Sequence, residues 1–184
     1  MRIACLGWGS LIWQPRDLKI ATPWRGDGPM LPIEFARQSS DGRLTLVIDE
    51  SAKDVQVYWA LMEGSNSEAA RQSLRERENI PLKNIDSAIG TVSIDDPPGD
   101  VIQQGILEWM VAVNVDIVIW TNLKRKFNNI ERSPTVLEAV SYLDNLKGKE
   151  RDLAEEYVRK APAQVKTSIR EAIESELGWI RTES

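Results

Sequence analysis

Strand-like segments crowd the first half of the chain and helical segments the last third. That segregation limits the fold more than any single motif does. Residues 2–6, 31–38 ("LPIEFARQ"), 44–49 ("LTLVID") and 55–62 ("VQVYWALM") are rich in β-branched and aromatic residues and read as strands. The cluster Ser39-Ser40-Asp41-Gly42 is a tight-turn signal, so strands two to four are expected to form an antiparallel meander. A helix is expected from Ser65, which has the spacing of a capping box with Glu68, to Glu78, ending before Pro81. Residues 86–94 read as a further strand, 100–113 as a helix by the recurrence of Val101, Ile102, Ile106, Trp109, Met110 and Val113, and 116–120 ("DIVIW") as a strand buried on both faces. Thr121 and Asn122 after it read most simply as chain caps.

From Ser133-Pro134 onward the pattern is helical. Ser133 is a candidate N-cap with Pro134 at the first helical position, two amphipathic helices are split by Ala161-Pro162, and Gly178 fits a C-terminal cap. The alternating charges of these helices read as a solvated outer face. Early strands and late helices predict an α+β domain with a mixed sheet, packed helices and a helical C-terminal layer. The 184 residues suffice for one hydrophobic core, so a single domain over 1–184 is expected, with a core at 1–123 and a helical extension at 124–184.

Two absences limit the chemistry. The chain has no histidine, which removes Ser-His-Asp and Cys-His nucleophile systems and His-ligated zinc. Its one cysteine, Cys5, lies in an apolar run and reads as a packed core residue. No metal or cofactor is expected, and any catalysis must use carboxylates, amines, hydroxyls and backbone dipoles. The net charge is -5 with a single compact basic run, Lys124-Arg125-Lys126, so no nucleic-acid partner is expected. No run approaches the roughly 18 apolar residues of a membrane span, and the N-terminus lacks signal-peptide character; no membrane partner and a cytoplasmic location are the expectations.

Two stretches carry candidate chemistry. In "GWGSLIW", residues 7–13, Ile12 stands where both the dinucleotide fingerprint and the nucleophile elbow need glycine, and the phosphate-loop lysine is absent. What remains is a glycine-rich strand end whose backbone N–H groups make a nest for an anion, or else a plain turn. In "LRERENIP", residues 74–81, helical phase at about 100° per residue places Glu78 about 40° from Leu74, facing inward, and Glu76 about 160° away, facing water. A carboxylate turned toward an apolar pocket is a candidate general base. The alternative is an inert helix-end glutamate.

Taken together, Trp8-Gly9-Ser10-Leu11 within "GWGSLIW", "FARQSSDGR" at 35–43, and "VYWALMEGSNSEAARQSLRERENI" resemble the γ-glutamylcyclotransferase superfamily, which includes the ChaC-type glutathione cyclotransferases and the AIG2-like proteins. Usable likeness covers roughly residues 1–80, and Trp8 stands where the family has tyrosine. The resemblance implies a γ-glutamylcyclotransferase-like mixed sheet forming a small, partly closed barrel, with Glu78 as the catalytic acid/base. It also implies that Trp8, Gly9, Ser10 and Leu11 bind the substrate. The implied reaction turns a small γ-glutamyl amine or peptide into 5-oxoproline and a free amine without a cofactor. The rival expectation is a non-catalytic small-acid-binding or docking module on the same fold. A related amide hydrolase or lyase using the same carboxylate is a third.

Overall fold

Ile3–Gly7, buried throughout, forms β1, the strand around which the first sheet is organised. The computed structural model describes residues 1–181 and is α+β, with seven strands and six α-helices among them. β1 pairs in parallel with β7 (Ile117–Thr121) and antiparallel with β5 (Tyr58–Leu61); β6 (Ile89–Ser93) lies antiparallel to β7 at the edge. The order β5-β1-β7-β6 makes this a mixed sheet. β7 is buried from Ile117 to Trp120, which is why its sequence is an unbroken apolar run rather than an alternating one.

Two compact units share the chain. The first takes residues 1–7, 14–31 and 56–123, and the second takes 8–13, 32–55 and the chain from Lys124 on. The segment from Lys124 therefore does not stand as a separate layer; it folds with two segments from the N-terminal third. In the first unit the mixed sheet carries α1 (Ser67–Arg77) and α3 (Val101–Val113), both against β6 and β7, with the short α2 (Ile85–Ala88) leading into β6. The second unit is built on the sheet β3-β2-β4, with β2 at Met30–Gln38, β3 at Leu44–Ile48 and β4 at Asp54–Gln56. β2 and β3 form a hairpin whose register slips between Phe35 and Arg37, and Gly42 at φ 84° turns it. Helices α4 (Val136–Asn145), α5 (Gly148–Lys160) and α6 (Ser168–Leu177) complete that unit, and α4 packs on both α5 and α6.

Several expectations are corrected. The strand at 55–62 breaks at Val57, so the third strand of the meander is only β4, and β4 lies beside β2 rather than beyond β3. Val57 itself is fully buried, its N–H donating to Pro29 and its carbonyl accepting from Gly28. Residues 85–88 form a helical turn before β6 begins. Among the described residues each of the two sheets is open rather than closed on itself.

Helix starts shift by one or two residues because neighbouring cap-type side chains find other partners. Asn66, not Ser65, caps α1 by accepting from the Ala69 N–H, while Glu68 pairs with Arg71. Thr135, not Ser133, caps α4 in a reciprocal box with Glu138, while Ser133 donates to the Asp49 carboxylate. The charges of α6 are not all solvated. Arg170 is buried, and its guanidinium donates to the carbonyls of Ala161, Pro162 and Val165 while pairing with Glu174. It satisfies the carbonyls of the loop that separates α5 from α6. Gly178 ends α6 at φ 67°, as its sequence position predicts.

Candidate active site

In the first unit, Glu78 is the C-cap of α1, and the chain after it is held by a Schellman motif. Asn79 takes the left-handed conformation at φ 54°, its N–H donates to the Glu76 carbonyl, and the Ile80 N–H donates to the Arg75 carbonyl. Ile80 is buried, and Arg75 donates from its guanidinium to the Ile80 carbonyl. Asn79-Ile80-Pro81 thus forms a stop that fixes the Glu78 backbone. The Glu78 side chain is 18% exposed, whereas that of Glu76 is 61% exposed, which matches the helical phase.

Arg77 supports that carboxylate. Its side chain is buried, donating to Glu78 Oε1 at 2.8 Å and to the Gln14 carbonyl at 2.8 Å. Cys5, fully buried in β1, senses the same pair. Burial pushes its thiol far above the ordinary range, the charge of Glu78 adds to the rise, and Arg77 opposes it. The thiolate is therefore suppressed, and Cys5 is a core residue rather than a nucleophile. Cys5 is two residues ahead of Gly7, where β1 gives way to the glycine-rich loop.

Residues 8–13 of that loop belong to the second unit. Trp8 is buried and its indole N–H donates to the Leu46 carbonyl at 3.2 Å, so its polar edge is spent on β3. Gly9 and Leu11 are buried and Ser10 is half-buried; the Ile12 N–H donates back to the Gly9 carbonyl and closes a turn. Among the described residues, neither the Gly9 nor the Leu11 amide has a backbone acceptor. Gly9 is required by space, since a Cβ there would lie 2.5 Å from the Tyr157 hydroxyl.

Tyr157 is the residue that reading the sequence missed. Its hydroxyl accepts from the Leu46 N–H at 3.2 Å, and Trp13 and Phe35 meet its ring edge-on at 5.4 and 6.3 Å between centroids. The Arg43 guanidinium lies 5.5 Å from the ring centre, and Arg43 is itself held by Asp41. In sequence Tyr157 sits beside Val158 and three residues after Ala154, all buried on α5, so its spacing signals only a core position.

Of the basic run, Lys124 pairs with Glu131 and Arg125 with Asp49. No helix among the described residues is long and apolar enough to cross a membrane. The molecule is therefore an α+β protein with a mixed sheet, a carboxylate–guanidinium pair at a helix end and a glycine-rich turn after its central strand. Compared with known proteins, it matches no family model, no curated protein and no solved structure.

Proposed function

We propose that the chain is a γ-glutamylcyclotransferase-like enzyme, converting a γ-glutamyl amine or peptide to 5-oxoproline and a free amine. The observation that carries this reading is Glu78. It is a carboxylate largely withdrawn from water, fixed at a capped helix end, oriented by a buried arginine, and close enough to β1 for its charge to reach Cys5. The γ-glutamylcyclotransferase-like fold is part of the same proposal.

The chemistry suits a chain without histidine. The nucleophile is the substrate's own α-amine, so no serine or cysteine nucleophile is needed, and ring closure is intramolecular. Glu78 takes one proton from the α-ammonium. The freed lone pair attacks the γ-carbonyl carbon and forms a five-membered ring with a tetrahedral oxyanion. Collapse re-forms the carbonyl and breaks the bond to the leaving nitrogen. That nitrogen receives the proton held by Glu78 and the second proton lost by the ring nitrogen. The substrate's ammonium charge thus ends on the released amine, and no oxidant or cofactor enters the balance. The N–H groups of Gly9, Ser10 and Leu11 are assigned the substrate carboxylate or the oxyanion. Arg77 keeps the Glu78 carboxylate oriented through the cycle.

A second reading, binding of a small acid without turnover, is favoured by one observation. The indole N–H of Trp8 is committed to Leu46 and is not free for substrate. A panel of γ-glutamyl compounds, scored for 5-oxoproline against free glutamate, separates the readings. Release of 5-oxoproline supports cyclisation, release of glutamate supports a hydrolase, and saturable binding with neither product supports the small-acid module.

A further inference from the structure

The first sheet ends at β6, and its backbone leaves hydrogen-bonding groups unused there. β6 lies at one edge in the order β5-β1-β7-β6. The opposite edge is covered: Ile20 bridges to Met62, Arg25 bridges to Trp59, and the Ala21 N–H donates to the Leu61 carbonyl. Along β6 the pairing with β7 fixes which groups point where. The Asn122 N–H donates to the Ala88 carbonyl and the Ile94 N–H to the Asp116 carbonyl. Both bonds belong to the register that sets Gly90 against Trp120 and Val92 against Val118. The backbone groups of the even-numbered residues therefore face β7, and those of Ile89, Thr91 and Ser93 face outward.

Some of these outward groups are used within the chain. The Ile89 N–H donates to the Ile85 carbonyl, and the Ser93 carbonyl accepts from the Asp96 N–H. The others are the Thr91 N–H, the Thr91 carbonyl, the Ser93 N–H and the Ile89 carbonyl, and none has a hydrogen-bond partner among the described residues. They match one another. In an antiparallel pair centred on Thr91 of two copies, each Thr91 N–H donates to the other Thr91 carbonyl, and each Ser93 N–H meets the other copy's Ile89 carbonyl. The bond this register omits, from the Ile89 N–H to the Ser93 carbonyl, would use the two groups already spent. β6 also lacks the devices that discourage edge pairing. Its sequence Ile-Gly-Thr-Val-Ser carries no charge and no proline, its register with β7 has no bulge, and Thr91 is exposed.

A helix supports the same partner. α3 packs on both β6 and β7. On one flank of it Trp109 meets Trp59 of β5 edge-on at 5.1 Å, and on the other Gln103 lines a cleft with Gly90 and Thr91. Leu107 and Val111 follow Gln103 at successive i+4 steps, so they continue the flank beside the open edge, where Val111 is 71% exposed. Strands lie about 4.8 Å apart, so a two-fold axis beside β6 sets two α3 helices about 10 Å apart, the distance at which helices pack. The exposed Val111 flank then faces its own copy. We propose that β6 pairs with β6 of a second copy of this chain, antiparallel about a two-fold axis at Thr91, joining two four-stranded sheets into one.

The test is sedimentation of the full chain from about 1 μM to about 1 mM, in about 0.3 M salt to screen the net charge of -5 on each copy. The expected result is a reversible monomer–dimer equilibrium. Thr91→Pro removes an outward N–H and sets its ring on the open edge while sparing the β6–β7 ladder. It should raise the dissociation constant about tenfold or more, with thermal unfolding at low concentration still reporting a folded monomer. Val111→Lys, at an exposed position outside the core, should weaken association as well. Amide exchange in the unsubstituted chain reads the interface itself. Thr91 and Ser93 should gain protection at high concentration, whereas Gly90 and Val92 are protected at both. A chain that stays monomeric throughout would overturn the proposal. So would dimerisation unchanged in folded Thr91→Pro or in Val111→Lys, or exchange at Thr91 and Ser93 that is independent of concentration.

Discussion

Glu34 and Glu78 are both carboxylates drawn out of water, and the chain treats them in opposite ways. Glu78 ends a helix, keeps 18% of its side chain exposed and faces a buried guanidinium. Glu34, on β2, has no ion-pair partner among the described residues. The Thr167 hydroxyl donates to its Oε1, the Phe35 N–H donates to the same oxygen at 2.7 Å, and the Ile169 N–H approaches its Oε2. Thr167 is also the N-cap of α6. Glu34 thus satisfies the first turn of that helix from outside, where the dipole favours a negative group. Burial nevertheless raises its pKa, and the charge of Asp49 adds to the rise. A carboxylate buried without a neighbouring cation and spent on holding a helix shows its protonation as stability, whereas Glu78 is held by a guanidinium at the end of its own helix.

That contrast can be broken by mutation, beginning with the largest effect on stability. Glu34→Ala leaves Thr167 and two backbone N–H groups without their acceptor. It should lower the unfolding free energy by about 2–4 kcal/mol in urea titrations. Glu78→Gln keeps the shape, the acceptor for Arg77 and the Schellman backbone but removes the charge facing that buried guanidinium, so it should cost about 1–2 kcal/mol, less than Glu34→Ala. Equal losses in the two variants would erase the distinction.

Next is Gly9→Ala, whose Cβ meets the Tyr157 hydroxyl at 2.5 Å. Overpacking of this kind costs about 1–3 kcal/mol. Adding Tyr157→Phe, which removes the clashing oxygen, should recover part of it, a coupling that a double-mutant cycle reads directly. Additive losses would show that the loop is not braced by Tyr157. A smaller effect is expected at Asn79, whose φ of 54° suits glycine better than alanine. Asn79→Ala should destabilise by about 1 kcal/mol and Asn79→Gly should be neutral or slightly stabilising, by thermal unfolding.

The smallest effect is a slope. Below its ordinary pKa of 4.5, Glu34 is protonated in both folded and unfolded chains and contributes no pH dependence. As pH rises above that value the unfolded chain ionises first, so it binds fewer protons than the folded one and stability falls until the raised folded pKa is passed. Glu34→Gln should flatten this descent. Asp49 works the other way. Hydrogen bonds from Ser133 and Ser51 and the charge of Arg125 outweigh its burial and lower its pKa, so its contribution is lost as pH drops below the ordinary aspartate range.

Much of this was legible in the residues themselves. β1, β7, α3 and the inward phase of Glu78 followed from periodicity, because long buried runs and helical spacing leave a direct mark on sequence. The starts of α1 and α4 did not, since Ser65, Asn66, Ser133 and Thr135 are all competent caps and tertiary partners choose among them. The break at Val57 was invisible for a similar reason: a strand that changes partners keeps the same β-rich composition on both sides. Glu34, Arg170 and Tyr157 were missed because each looks ordinary in its own segment. Their roles come from partners more than a hundred residues away for Glu34 and Tyr157, and from backbone carbonyls for Arg170.

The central claim is that Glu78 moves the protons of a cyclisation. The most direct measurement is 5-oxoproline release from γ-glutamyl peptides by the wild-type chain and by Glu78→Gln, with unfolding curves taken on both. The account predicts turnover by the wild type and a loss of about a hundredfold or more in a variant that remains folded. Equal 5-oxoproline release by a folded Glu78→Gln protein would contradict it.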